Sequence, residues 1–164
     1  MLDDAETNYK IGLSMSIIVA ADHAGFALKS RLLQHFDSNH IPHIDLGTDD
    51  HEPVDYPDFA HDLTSAMNPA ADLGVLICGT GNGMAMTANR RHNIRCALAL
   101  TPEMARLARA HNNANVLALG ARLVSEDLAI AIVDSFLATS FEGGRHIPRV
   151  EKIEVMVGFE ARYV

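Results

Sequence analysis

The chain has 164 residues, enough for one domain with a single buried core. With 48% hydrophobic and 21% charged residues, the composition is that of a globular protein and excludes a disordered or fibrous one. The formal net charge of −8 excludes a general nucleic-acid-binding surface, because phosphate backbones are bound by clustered Lys and Arg, so any anion site must be local.

Residues 1–14 include three acidic side chains and lack the basic and apolar regions of a signal peptide. We expect them to form a flexible extension ahead of one domain over residues 15–164. No later run approaches the roughly 20 apolar residues that span a bilayer. The two cysteines are too few for a disulfide framework in a chain of this size. The sequence therefore predicts a cytoplasmic protein without a membrane partner.

Apolar runs of strand length alternate with helical patterns along the chain. Strands are predicted over residues 16–21, 41–46, 73–78, 94–100 and 116–119. Helices are predicted over residues 26–36, 56–67, 84–89, 102–111 and 125–138, with Ser125 as the cap of the last. Several strands are apolar on both faces, so the fold class predicted is α/β, a doubly wound three-layer sandwich around a five-stranded parallel sheet. Such sheets bind ligands beyond the carboxyl ends of their strands.

The tail after Phe141 has two glycines, then basic residues, then an apolar pattern of helical spacing at Val150, Ile153 and Met156 or Val157. This pattern predicts a short helix in the tail. We expect the tail to pack on a partner subunit.

The segment CGTGNG, residues 78–83, follows a buried strand and opens a helix. Its three glycines let the backbone approach a ligand and expose N–H groups near a helix N-terminus, which suits an oxyanion or a sugar. The third glycine comes one residue too early for the G-x-G-x-x-G fingerprint, so a dinucleotide cofactor is not expected. A tight strand-to-helix connection without any ligand is the alternative.

Cys78 stands at the start of this loop, where a helix N-terminus favours the thiolate form of a cysteine, and a thiolate can act as a base. The alternative is a small buried hydrophobic residue, which is our interpretation of Cys96 inside an apolar strand. Thr80 and Asn82 are candidates for binding ligand hydroxyls, although each is equally an ordinary loop or cap residue.

Asp22 and His23 follow the first strand, where open sheets bind ligands, and histidine is suited to proton transfer near neutral pH. His111 is a second candidate because HNNAN ends a helix just before a strand. The chain has 9 histidines, so any one of them is more often a surface or packing residue.

Arg145 and Arg149 are four residues apart and would share a face of a helical tail, a span suited to binding one phosphate. A solvated basic patch is the alternative. Arg122, after the fifth strand, is a third candidate. Neither cysteine has a neighbouring Cys or His at ligand spacing, so we expect no metal site and chemistry without a cofactor.

Six segments together resemble the family of ribose-5-phosphate isomerase B and galactose-6-phosphate isomerase: IIVAADHAGFALK, DYPDFA, GVLICGTGNGMAMTANR, IRCALA, ARAHNNANVLALGAR and FEGGRHIPRV. The resemblance covers about residues 16–153. It implies a Rossmann-like fold and a homodimer with sites between the subunits. It also implies interconversion of an aldose phosphate with its ketose phosphate, without metal or cofactor.

By this resemblance, Cys78 is the base that moves a proton between C1 and C2 through a cis-enediolate, while Thr80 and the backbone N–H groups of residues 79–83 stabilise the oxyanion. His111 matches the residue credited with opening the sugar ring. The remaining matches are substrate-binding positions at Asp22, His23, Tyr56, Gly79, Gly81, Asn82, Gly83, Asn112 and Arg122, of which Arg122 is implied to reach across the dimer. Phosphate-binding positions are implied at His23, Arg145 and Arg149.

The leading hypothesis is an isomerase that interconverts ribose 5-phosphate and ribulose 5-phosphate. Galactose 6-phosphate and allose 6-phosphate are alternative substrates, because pockets discriminate one hydroxymethylene unit by only about 1–3 kcal/mol. The alternative of another class is a non-catalytic module that binds a nucleotide or sugar phosphate, since folds of this type host many functions. A dimer and a tetramer are both compatible with the sequence.

Overall fold

The computed structural model describes residues 15–154, so the expected N-terminal extension and the end of the tail lie outside the described residues. The strands are β1 (Ile17–Ala21), β2 (His43–Asp45), β3 (Leu73–Cys78), β4 (Cys96–Leu98) and β5 (Val116–Gly120). The helices are α1 (Phe26–Ser38), α2 (Tyr56–Ala66), α3 (Asn82–Ala88), α4 (Pro102–Asn112), α5 (Glu126–Ala138) and α6 (Ile147–Val150), with a 3₁₀ turn at Gly144–His146 before α6. Within this range no helix is both long and apolar enough to cross a membrane.

The strands form one parallel sheet in the order β2-β1-β3-β5-β4. Successive side chains of a strand enter opposite cores, as the pleat requires. In β1, Val19 packs with α1 and α5 on one face, whereas Ile18 and Ala20 pack with α2 and α3 on the other. The predicted α/β three-layer sandwich with a five-stranded parallel sheet is confirmed.

Side-chain caps fix the start of two helices. The Ser125 hydroxyl accepts a hydrogen bond from the Leu128 N–H at 3.3 Å, and the Thr101 hydroxyl accepts one from the Met104 N–H at 3.2 Å. Each cap satisfies a backbone donor that the first turn leaves without a helical partner. The prediction of Ser125 as the cap of α5 is confirmed.

Three predicted boundaries are corrected by the structure. β2 and β4 have only 3 residues each, shorter than predicted, because they are the edge strands and pair with one neighbour. The predicted tail helix is interrupted: Arg145 lies in the 3₁₀ turn and Arg149 in the 4-residue α6. The positive φ angles of Gly143 and Gly144, 66° and 54°, turn the chain just before it. The pattern's last positions, Met156 and Val157, lie outside the described residues.

Candidate active site

Three neighbouring strands end side by side at the carboxyl edge of the sheet. Ala21 is in register with Ile77, and Cys78 is in register with Gly120. The residues that follow these strands are therefore brought together, as predicted for an open parallel sheet. We call Asp22, His23, Tyr56, residues 78–83 and Arg122 the carboxyl-edge group.

Cys78 is the last residue of β3 and is buried, with 5% of its surface exposed. Its Sγ accepts a hydrogen bond from the Gly81 N–H at 3.1 Å. Gly81 has φ 79°, and a Cβ there would lie 2.5 Å from Leu98 Cδ1. Only glycine allows both this left-handed conformation and this close approach. The loop thus turns so that one of its backbone N–H groups contacts the thiol.

Asp22 is buried, and its Oδ1 accepts a hydrogen bond from the Gly25 N–H at 2.9 Å. The His23 Nδ1 accepts a hydrogen bond from the Val54 N–H at 3.2 Å. In the neutral ring the proton then resides on Nε2, which is a donor. His23 therefore has a donor to offer to an anionic or hydroxyl oxygen.

Two large side chains cover the glycines of the loop. A Cβ on Gly83 would lie 2.6 Å from the Tyr56 ring, and one on Gly79 would lie 3.0 Å from the Arg122 Nη1. The Arg122 N–H also donates to the Gly79 carbonyl oxygen at 3.0 Å. The aromatic ring and the guanidinium thus flank the loop in direct contact with its backbone.

The other predicted residues lie elsewhere. His111 and Asn112 end α4, and the chain enters β5 only at Val116. The Glu142 N–H donates to the Ala110 carbonyl oxygen at 3.0 Å, which brings the segment with Arg145 and Arg149 to the same place. We call His111, Asn112, Arg145 and Arg149 the amino-edge group, because they lie where β5 begins.

The two groups are on opposite edges of the sheet within one chain. Since β4 and β5 are parallel, α4 must run back along the sheet from the carboxyl edge to the amino edge. Its 11 residues are about 16 Å long at 1.5 Å per residue. A cavity of about 680 Å³ beside Arg91 and Glu154 contains no residue of either group. One chain alone does not assemble all the predicted residues into one pocket.

Two side chains beside the amino-edge group were missed as site residues by the sequence reasoning. The His146 ring stacks on the His111 ring with centroids 4.4 Å apart and an interplanar angle of 11°. Glu142 Oε2 lies 3.6 Å from His111 Nε2 and 3.7 Å from His146 Nε2. The four-residue spacing of Glu142 and His146 was the available signal, but nothing in it indicates the contact with His111.

The environment of His146 favours its neutral form. Burial lowers the pKa of the His146 imidazole, and electrostatic interactions with His111, Arg145 and Arg149 lower it further, while Glu142 opposes them. His146 is buried, whereas Arg145 and Arg149 are exposed. The two solvent-facing guanidinium groups of the amino-edge group therefore lie beside the neutral ring of His146.

Cys96 lies in a different environment from Cys78. Burial raises the pKa of the Cys96 thiol to about 12, so the thiol stays protonated at neutral pH. Its backbone N–H and carbonyl are both paired with the Asn89 side chain, at 2.8 and 2.9 Å. These contacts agree with the interpretation of Cys96 as a packing residue.

The fold is an α/β sandwich. Its carboxyl-edge group brings a thiol, a carboxylate and a glycine loop together at the strand ends, which is typical of a ligand-binding site. The model of the Ribose/Galactose Isomerase family matches residues 17–153. The chain belongs to this family and is an isomerase.

Curated relatives and solved structures agree with this assignment. Ribose-5-phosphate isomerase B of Escherichia coli is 43% identical over 138 residues, covering 84% of this chain and 93% of that protein. A ribose 5-phosphate isomerase structure from Thermotoga maritima is 49% identical with a TM-score of 0.82, covering 85% of this chain and 97% of that one. The enzyme from Mycoplasma genitalium with bound ribulose-5-phosphate is 43% identical with a TM-score of 0.82, covering 85% and 94%.

Proposed function

We propose that the protein is a sugar-phosphate isomerase that interconverts ribose 5-phosphate and ribulose 5-phosphate, with Cys78 as the base. The observation that carries the proposal is the position of the Cys78 thiol at the carboxyl end of β3, with the Gly81 N–H donating to its sulfur. The thiolate is the form of a cysteine that is able to take a proton from carbon. The named activity of the relatives from Escherichia coli and Thermotoga maritima supports this substrate.

The proposed reaction moves one proton between adjacent carbons. The Cys78 thiolate removes the proton from C2 of the open-chain aldose, and a cis-enediolate forms as negative charge develops on oxygen. The hydroxyl proton passes from O2 to O1, and the same thiol returns the carbon-bound proton to C1, which gives the ketose. Thr80 and the N–H groups of Gly79, Asn82 and Gly83 are proposed to donate to that oxygen, while the Gly81 N–H stays on the Cys78 sulfur.

Asp22 and Tyr56 are proposed to orient the hydroxyls of the sugar beside Cys78. The Asp22 carboxylate is held by the Gly25 N–H and keeps further acceptor capacity. The His23 Nε2 donor and the Arg122 guanidinium are proposed to bind the charged end of the substrate. Tyr56 and Arg122 contact the loop, and Asp22 and His23 directly follow the neighbouring strand β1.

We further propose a homodimer in which one chain supplies the carboxyl-edge group and the other supplies His111, Asn112, Arg145 and Arg149. Each chain presents these groups at opposite edges, so two antiparallel chains can build two complete sites. His111 would open the sugar ring, and the arginines would bind the phosphate.

Exposed apolar side chains support an interface at both edges. Tyr56 and Leu123 are 40% and 53% exposed near the carboxyl-edge group, and Ile147 is 44% exposed between the two arginines. Apolar side chains beside polar functional groups are typical of surfaces that are covered in an assembly.

The first experiment is a direct ultraviolet assay of ketose formation from ribose 5-phosphate, in the presence of a chelator. Replacement of Cys78 by Ala should lower kcat by about 10²–10⁴-fold, the usual contribution of a general base. The matched control is Cys96→Ala, the chain's other cysteine, which should retain turnover. Equal turnover in the wild type and Cys78→Ala would rule out the base assignment. Faster turnover of allose or galactose 6-phosphate would identify that sugar phosphate as the substrate in place of ribose 5-phosphate. No turnover with any of the three would favour a binding module.

A further inference from the structure

A cluster of three potential metal ligands lies beside the amino-edge group. His111, Glu142 and His146 each offer one ligand atom, and these atoms all lie within 4.8 Å of one another. We propose that this cluster binds one divalent transition-metal ion of the zinc type, and that the bound ion inhibits the isomerase. The sequence reasoning expected no metal site because it considered only neighbours of the cysteines and the motif loops.

The spacing of the cluster approaches that of a metal site, but the two rings are stacked, so the His111 ring, 35% exposed, must turn for both nitrogens to face one ion. Zinc binds imidazole nitrogen at about 2.0–2.1 Å in tetrahedral geometry, which places two ligand atoms roughly 3.4 Å apart. Glu142 Oε2 lies 3.6 and 3.7 Å from the Nε2 atoms of His111 and His146. Two imidazoles and one carboxylate form a known zinc donor set that leaves a fourth position for water.

The His146 nitrogen is an independent indication that a ligand belongs here. The His146 side chain is only 9% exposed, and its Nε2 is buried without a hydrogen-bond partner. A buried polar atom without a partner is costly and uncommon in folded proteins. This nitrogen faces Glu142, whose side chain is 52% exposed and so gives an ion a route from solvent. A metal ion bound by both residues would satisfy the nitrogen.

The charges around the cluster decide which ions fit. Arg145 and Arg149 oppose any cation, although both are exposed and therefore screened by solvent. Arg106, on the same helix as His111, is paired with Glu103 at 2.8 Å. With Glu142 as the single carboxylate, affinity must come from the imidazole nitrogens. Zn²⁺, Co²⁺ and Ni²⁺ are therefore expected to bind, whereas Mg²⁺ and Ca²⁺, which need several oxygen ligands, are not.

Inhibition follows from the use of His111, and this part of the inference rests on the proposed function. An imidazole nitrogen that is bound to a metal has no free lone pair for proton exchange with a sugar. The ion would thus remove the residue proposed to open the ring, while leaving Cys78 free.

The metal site is tested by titrating the full chain with Co²⁺, followed by calorimetry and visible absorption. We expect one ion per chain, tetrahedral d–d bands and no thiolate charge-transfer band. Glu142→Gln should weaken Co²⁺ binding by roughly 10–100-fold, since a loss of that size already follows when a residue that only hydrogen-bonds to a metal ligand is removed. The matched control is His92→Asn, which removes a separate His–Glu pair at 2.9 Å and should leave the affinity unchanged. His146→Asn gives a second, independent loss of a ligand.

Two results of this titration would overturn the site. One is equal Co²⁺ affinity in Glu142→Gln, His146→Asn and the wild type. The other is a charge-transfer band that disappears in Cys78→Ser, which would place the ion on that thiol instead.

Inhibition is tested separately with Zn²⁺ during turnover of ribose 5-phosphate. We expect loss of activity that a chelator reverses, and Glu142→Gln should need roughly 10–100-fold more Zn²⁺ for the same fractional loss. Full activity of the wild type when saturated with metal would refute the inhibitory role. If the metal-free chain turns over no sugar phosphate, the proposed function fails, while the Co²⁺ titration still decides whether the site exists.

Discussion

At the scale of single residues, the Cys96 thiol ionises less readily than an ordinary cysteine because of its surroundings. Cys96 is partly buried, and burial of its thiol raises the pKa to about 12. At pH 8 only about one such thiol in 10⁴ is ionised, and the thiolate is the form that reacts.

We predict that iodoacetamide at pH 8 leaves Cys96 unmodified in the folded protein and modifies it after unfolding in denaturant. Peptide mass spectrometry on both samples measures this directly. Rapid modification of Cys96 in the folded protein would contradict the raised pKa of its thiol.

The same residue makes stability depend on alkaline pH. In the unfolded chain the thiol ionises near its ordinary pKa of 9.0, whereas in the folded chain it ionises near 12. Above pH 9 the folded state therefore holds more protons, and the free energy of unfolding falls as pH rises toward 12. Denaturant titrations between pH 8 and 10 should show a smaller fall in Cys96→Ala than in the wild type. An identical pH dependence in both would refute the linkage.

Two glycines of the carboxyl edge are needed for different reasons. A Cβ on Gly25 would lie 2.5 Å from the Ile77 carbonyl oxygen, which is backbone and cannot move aside. A Cβ on Gly79 would meet Arg122 Nη1 at 3.0 Å, the far end of a flexible side chain.

We predict that Gly25→Ala lowers the free energy of unfolding by about 2–3 kcal/mol, whereas Gly79→Ala changes it by less than about 1 kcal/mol. Urea denaturation of both variants beside the wild type measures the difference. Equal losses would show that the strand end can shift away from the new methyl group.

At the scale of elements, an ion pair between a buried lysine and a partly exposed aspartate joins α1 to β2. The Lys29 Nζ donates to both carboxylate oxygens of Asp45 at 2.5 and 2.6 Å, and the Lys29 side chain is 2% exposed while that of Asp45 is 33% exposed. Asp45 Oδ1 also accepts a hydrogen bond from the Gly47 N–H. The Gly47 carbonyl oxygen accepts one from the N–H of Ala21, the residue before Asp22. The pair therefore supports the backbone that leads into the candidate site.

We predict that Asp45→Asn lowers the free energy of unfolding by about 3 kcal/mol, because it leaves the Lys29 ammonium buried without its counter-charge. Lys29→Met should cost less, since Asp45 can be solvated and the methionine fills the buried space. Thermal or urea denaturation of the two variants ranks them. A larger loss in Lys29→Met would show that the charge on Lys29 is itself stabilising.

At the scale of the whole molecule, the two groups of candidate residues lie on opposite edges of one sheet. A chain that lacks the carboxyl-edge base and a chain that lacks an amino-edge residue could therefore complement each other in a mixed dimer.

We predict that Cys78→Ala and His111→Asn, each nearly inactive alone, recover activity after they are unfolded and refolded together. Random pairing makes half of the dimers mixed, and each mixed dimer has one intact site, so recovery should reach about a quarter of the wild-type rate. The control is Cys78→Ala refolded with Cys78→Ser, which should recover nothing. Failure of the first pair to recover, with dimers present in sedimentation analysis, would refute a site shared between chains.

The sequence by itself determined the elements and their class. The runs around Val19 and Val75 have strand length and are apolar on both faces, which only a sheet covered on both sides satisfies. The cap at Ser125 and the position of Cys78 at a strand end are also local features, so the pattern of neighbouring residues is sufficient to predict them. The family resemblance rested on the same short segments.

The tertiary structure alone decided which residues meet. The direction of α4 places His111 away from Cys78, and the fold of the tail brings Glu142 and His146 onto His111. These contacts join residues far apart in the chain, and their positions depend on how the helices pack rather than on local preference. The edge strands β2 and β4 are short for a similar reason, because strand length depends on available partners.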